Sequence, residues 1–353
     1  QVEGALAGEC ILTGHVGDGT ETYPYPVANP YQLNSCASEP SAQYRQYADI
    51  DMDNNDKWEP IGTAETPFTG VYDGGGHTIS NLKRDVSSPG SQSSLFGVID
   101  GATIKNLNMD NVHMTADRFA GGICSCVDIS STLSATIENV RVSGFCSGDY
   151  VGGLAGYLSA AHISNCMVDV NLTGENVGGL IGYTLVNPGA GEVSISECSA
   201  RGSVEGSRLV GGLIGYALED TYLSISDSYS HAEVRSSVPP EVGAYMAGLV
   251  GFFANNTMQS GNLLLTRCYC AGQLHPISGA TFKAVIHDEL SWAATATISG
   301  VFWDTDKCAG ADVGDWGVGC VPEDMKNPAT FVEYSEEVWV MNPGEYPILK
   351  AEQ

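Results

Sequence analysis

The chain has 353 residues, of which 43 are glycine and only 16% are charged, with 42 acidic against 15 basic side chains and a net charge of −27. So few cations exclude a nucleic-acid binder, because phosphate recognition needs clustered Lys and Arg. No run of 18 apolar residues occurs, so no membrane-spanning helix is expected.

In chain order, residues 1–43 carry no repeat. Ile11, Leu12 and Val16 read as a strand-forming lead, and Tyr23-Pro24-Tyr25-Pro26 as an extended turn. The segment is expected either to cap the first coil of a repeat array or to act as an arm that pairs with another subunit. Gln1 is consistent with a mature chain whose leader has been removed.

Asp49, Asp51 and Asp53 then alternate, with Asn54, Asn55 and Asp56 after them. Hard oxygen ligands at this spacing suit Ca²⁺. An EF-hand is excluded, since its sixth position is Asn54 rather than Gly and its twelfth is Pro60 rather than Glu. An acidic turn and an irregular Ca²⁺ site held by Asp49, Asp51, Asp53 and Asp56 remain as alternatives. The run Gly74-Gly75-Gly76 lacks the Gly-Lys-Ser/Thr of a phosphate loop.

From here a phrase repeats. Val151-Gly152-Gly153-Leu154-Ala155-Gly156-Tyr157 returns at Val177 to Tyr183 and Val210 to Tyr216, with looser copies at Phe119 and Met246. A second phrase, of the type Ile163-Ser164-Asn165-Cys166, begins at residues 79, 104, 137, 163, 195, 225, 265 and 298. Such spacing marks a solenoid or a propeller-like array. The segments alternate with period two, as in Val168-Val170-Leu172, and Gly, Ser, Asn and Asp separate them. Each repeat therefore reads as one coil of a parallel β-helix, with aliphatic ladders inside and Gly-Gly where backbones crowd. Tyr157, Tyr183, Tyr216 and Phe252 are expected to stack as a ladder or turn plug rather than form a glycan platform.

Eleven cysteines are present. Cys166, Cys198 and Cys268 share one repeat position and are expected to stack in a ladder, either as reduced, buried thiols or, since the strand spacing of about 4.8 Å allows a bridge, as a disulfide, the thiol ladder being the favoured reading. Cys10 with Cys36, and Cys308 with Cys320, flank loop-rich ends and are expected to form disulfides, which implies an oxidising compartment. The odd count leaves at least one cysteine free or paired between chains.

Asp49-Ile50-Asp51, Trp58-x-Pro60-Ile61-Gly62 and Phe68-x-Gly70-x-Tyr72-Asp73-Gly74-x-Gly76-His77-x-Ile79-x-Asn81-Leu82, followed by the Val-Gly-Gly-Leu-x-Gly copies, resemble the GLUG-repeat family. Val301-Phe302-Trp303-Asp304, Met325-Lys326, Phe331, Val338-Trp339 and Tyr346-Pro347-Ile348-Leu349-Lys350 extend the resemblance, which covers about residues 44 to 350. It implies a secreted or surface β-helix of the kind found in adhesins and in non-catalytic parts of IgA-specific metallopeptidases. It implies no single activity.

Motifs for chemistry are mostly absent. No histidine belongs to a His-Glu-x-x-His motif, and no Gly-x-Ser-x-Gly elbow occurs. Asp304, Asp306, Asp312 and Asp315 cluster after Trp303 and are the acids a polysaccharide-degrading β-helix would use, but the net charge would repel an anionic polysaccharide. Asn171-Leu172-Thr173 and Asn255-Asn256-Thr257 are glycosylation sequons.

The expected architecture is all-β: a right-handed parallel β-helix over residues 44–300, an N-terminal arm or cap over 1–43 and a C-terminal capping segment over 301–353. The expected role is non-enzymatic: a secreted, extracellular or cell-surface subunit of a filament built by head-to-tail self-association. A monomeric adhesin that binds a carbohydrate or other surface ligand is the alternative, and a polysaccharide-degrading enzyme the second.

Overall fold

Ile104, Ile137, Ile163, Ile195, Ile225, Leu265 and Ile298 face one another rung by rung in parallel register. Up to Leu265 each is almost wholly buried, so the row is the spine of one continuous core. The structure is a computed structural model and describes residues 17–53, 57–127, 133–186, 191–219, 222–238, 244–254, 262–276, 282–289, 295–311 and 316–353. Nearly all its strands pair in parallel with the coil before and the coil after, which makes it a parallel β-helix. A seven-stranded sheet from Phe96–Ile99 to Ile286–Glu289 forms one wall. The remaining walls belong to one bent sheet, whose longest strand, Ala135–Gly152, turns a corner without breaking.

The Asn of the second phrase makes that corner. Asn106, Asn139 and Asn165 all have φ of 52–53°, the left-handed region that Asn tolerates best after Gly. Their amides form a chain up the helix axis. Asn165 Nδ2 donates to Asn139 Oδ1 (3.3 Å), Asn139 Nδ2 to Asn106 Oδ1 (2.9 Å), and Asn106 Nδ2 to Asp73 Oδ1 (2.9 Å). Glu197, Asp227 and Arg267 keep the same backbone. There an ion pair replaces the amide chain, with Arg267 Nε 2.7 Å from Asp227 Oδ1.

One repeat position shifts. Ile79 does not join the row of Ile104; it pairs with Ile50 and Met109, while Tyr72 stands opposite Ile104. The motif around Ile79 serves a second corner, where Asn111 donates to Asn81 and Asn81 to Asp51. Two corners with the same chemistry produce the same four residues, so sequence alone merges them.

The paired glycines answer to space rather than dihedral. A Cβ on Gly179 would lie 2.2 Å from Gly212 O and 2.6 Å from Ala200 Cβ. Gly153 meets Gly179 O and Val168 in the same way. Here the backbone crosses directly over the inward row of the adjoining sheet.

The rungs extend beyond the expected boundaries. Tyr25–Val27 already pairs with Gln43–Gln46, and Phe302–Asp304 pairs with Val318–Cys320. A short helix, Pro30–Ser35, comes after the first rung, capped by Asn29. It places Leu33 and Cys36 in the core. After Cys320 the chain folds back along the flank of the coil stack.

Candidate functional site

That returning segment builds a second hydrophobic cluster, beside which several polar contacts form. Phe331 packs edge-on to Phe302, and Trp339 lies 6.0 Å from both Tyr269 and Tyr229, which are themselves stacked at 4.9 Å. The Trp339 indole donates to the buried Asp227 carboxylate (3.1 Å). Farther along, Glu352 accepts from Tyr229 and pairs with Arg201, and Arg141 donates to the carbonyl of Ala351. The segment is thus a strap laid across successive coils, held by an apolar cluster of Tyr229, Tyr269, Met325, Phe331, Tyr334 and Trp339.

His231 sits inside the strap contact, bonded to the Tyr269 hydroxyl (2.9 Å) and edge-on to Tyr346. Burial, reinforced by Arg201 and Lys307 and opposed by Asp304, lowers its pKa to about 4. The unfolded chain therefore holds the extra proton below about pH 6.5, and the strap's stability falls as pH drops from there towards 4. Acidification from pH 7 to 4 is expected to remove about 2–3 kcal/mol through this one group. Urea unfolding at the two pH values checks it, with His231→Gln flattening the difference.

A second feature lies on the opposite sheet. Val98, Cys126, Tyr157, Tyr183, Tyr216 and Phe252 form one row in register. Tyr183 and Tyr216 stack at 4.9 Å, while Tyr157 meets Tyr183 at 5.2 Å with its ring tilted by 52°. Phe119 and Tyr150 rise beside the row, and a groove of about 680 Å³ opens between them, with Arg118, Gln92 and Leu185 at its margin. The Tyr157 hydroxyl donates to the Leu185 carbonyl at the groove margin (3.4 Å).

The residues singled out from sequence fall apart into separate tasks. Asp49 accepts from the Thr78 amide and sits 3.4 Å from His77, while Asp51 ends the second amide chain. Its bond from Asn81 holds the Asp51 carboxyl below the usual carboxylate range. Asp53 is exposed, Asp56 lies outside the described residues, and no trio of metal-ligating side chains gathers among the described ones. Asn171 is exposed on its strand; Asn255 lies outside the described residues.

The expected Cys308–Cys320 bond is not formed: both thiols are free, and Cys308 faces Cys270 instead. The two belong to different cores, Cys308 to the solenoid interior and Cys320 to the strap cluster. Cys36 is a free, buried thiol and Cys10 lies outside the described residues. Cys166, Cys198 and Cys268 are buried and free, each thiol donating to backbone carbonyls of its own turn and the previous coil.

Asp304 is no accessible acid. It is fully buried, accepts from the amides of Asp306 and Lys307, and takes the Tyr346 hydroxyl. Asp312 and Asp315 lie outside the described residues. The strap contact itself was not foreseen from sequence; its signal was the aromatic crowding at Phe331, Tyr334, Trp339 and Tyr346.

Fold and motif together define a GLUG-bearing parallel β-helix. The GLUG motif family matches residues 147–173, the coil that contains the start of the strand from Met167 to Gly178. Halomucin of Haloquadratum walsbyi (strain DSM 16790 / HBSQ001) is 34% identical over 158 residues, 41% of this chain, and the chain spans 2% of that protein's length. Among solved structures, a candidate immunoglobulin A1 protease from Bacteroides ovatus superposes with a TM-score of 0.67 at 21% identity, over 96% of this chain and 95% of that one. An IgA1 protease matches with a TM-score of 0.60 at 19% identity, over 78% of this chain and 21% of that one. At such identities the likeness is one of fold. No helix among the described residues is long and apolar enough to cross a membrane.

Proposed function

We propose that the chain is a non-catalytic β-helix of an extracellular surface, a rigid rod that associates end to end. The observation that supports this is the end strand of one wall, Thr295–Ser299, which pairs only with the coil before it among the described residues. Ile298 continues the buried isoleucine row but is only partly covered, and Ala296, Thr297 and Ser299 beside it are partly or fully exposed. The strap touches this edge only where Glu333 accepts from the Ser299 hydroxyl (2.7 Å) and otherwise runs back along the flank. A rung with free backbone on one side is a template for another strand. The likeness to Halomucin and the GLUG motif support a surface or secreted setting.

Sedimentation across a concentration series, with negative-stain imaging, tests the reading. Mass rising with concentration and rods lengthening are expected, and Ala296→Lys, which places a charge on the edge, should hold the protein as single copies. Uniform single-copy rods of the unaltered chain at every concentration would reject it.

A second reading has its own support. Pro26 lies in the first rung and removes a backbone donor there, while Leu33 and Cys36 plug the core beneath. A rod stoppered at this end fits a monomeric adhesin, with the tyrosine-lined groove as the place for a carbohydrate. Glycan binding lost on Tyr150→Ala would separate this reading from the first.

A further inference from the structure

Cys270 stands on the inward row formed by Val142, Val168, Ala200, Ser230, Cys270 and Trp303. In the coil beyond, the chain leaves the strand Phe302–Asp304 and turns inward over the end of the core. Asp304 shapes that turn: its carboxylate accepts from the amides of Asp306 and Lys307, and its carbonyl accepts from the Cys308 amide. The Lys307 carbonyl takes the Leu274 amide and the Gln273 side chain, where a further rung would otherwise pair. The turn thus acts as a plug, and Cys308 is its inward point, 1% exposed.

We propose that Cys270 and Cys308 form a disulfide that fastens this plug to the penultimate coil. Their sulfurs are already 3.9 Å apart inside one apolar cluster. Closing to a bond near 2.05 Å needs only side-chain rotation and a small shift of the turn. The other cysteines nearby are differently placed. Cys268 points to the carbonyls of Ile225 and Thr266, and Cys320 belongs to the strap cluster outside the coil.

The reaction is thiol–disulfide exchange with a small disulfide oxidant. The two thiols give up two protons and two electrons, and one oxidised glutathione becomes two reduced. Contact with Cys308 raises the Cys270 thiol above its ordinary range, as does burial. Exchange is therefore slow in the folded protein and proceeds while the chain folds. The bond needs an oxidising setting but does not depend on whether the rods associate.

The test is refolding of the reduced chain in a glutathione redox buffer, followed by alkylation and peptide mapping. Cleavage must fall at Tyr269 and between Cys308 and Cys320, because otherwise Cys268 and Cys270, or Cys308 and Cys320, share a peptide. A linked pair holding Cys270 and Cys308 is expected, with Cys268 and Cys320 alkylated. Reduction should lower Tm by about 5 °C, a shift that Cys308→Ser abolishes and Cys320→Ser retains. Alkylated Cys270 and Cys308 in the folded, oxidised protein, or a Cys308–Cys320 link, would overturn the assignment.

Discussion

Gly179→Val is expected to cost more than about 4 kcal/mol and to leave little soluble folded protein, because backbone rather than a movable side chain occupies the space its side chain needs. The nearest atom is the Gly212 carbonyl of the next coil, which lies within the position's own repeat ladder. Relief would require that coil to separate from its neighbour, and each coil depends on its neighbours to bury its inner stripe. Gly76→Ala is the control. Gly76 has φ of +81°, but a Cβ added there would have nothing within 4 Å, so only the dihedral resists and the loss is about 1 kcal/mol. Denaturant unfolding of the two variants decides the matter; equal losses would mean that crowding between coils is not what selects glycine in the Val-Gly-Gly-Leu phrase.

Trp339→Ala is expected to cost about 3–5 kcal/mol and to free the strap from the flank before the solenoid itself unfolds. Trp339 is almost wholly buried, packs against Tyr229, Tyr269 and Tyr334, and supplies an indole donor to Asp227. Removing it leaves a cavity and withdraws one partner from a buried carboxylate that Arg267 still holds. Native-state proteolysis should then cut within residues 321–353 while the coils stay resistant. If the whole chain instead melts in one step at an unchanged rate of strap cleavage, the strap is an integral part of the core rather than a separately anchored segment.

Much of the coil was legible because its causes are local and repeated. Alternation in Val168-Val170-Leu172, the turn residues Asn106, Asn139 and Asn165 at one corner and Gly-Gly in the Val-Gly-Gly-Leu phrase are short-range demands, and each recurs over successive turns of the helix. The phase of the first coils was not legible. Ile79-Ser80-Asn81-Leu82 satisfies the same corner chemistry as Ile104-Lys105-Asn106-Leu107, and only pairing with Ile50 and Met109 tells the two corners apart. The placement of the late cysteines was not legible for a related reason. Cys308 and Cys320 are near in sequence, but an inward turn sends one into the coil and the next rung sends the other to the outside.

The sequence by itself determined the all-β solenoid, its inner ladders and its closing aromatic residues, since a two-residue period and an approximate coil-length repeat admit few other ways to bury apolar side chains. Tertiary structure decided where those closing residues go. Trp339, Tyr346 and Glu352 find partners in Asp227, Asp304 and Arg201, contacts that span 42 to 151 residues and follow no repeat. A carboxylate read as a candidate acid becomes the buried anchor of a turn, and a tail read as a cap becomes a strap, because long-range burial rather than local pattern sets the surroundings of each.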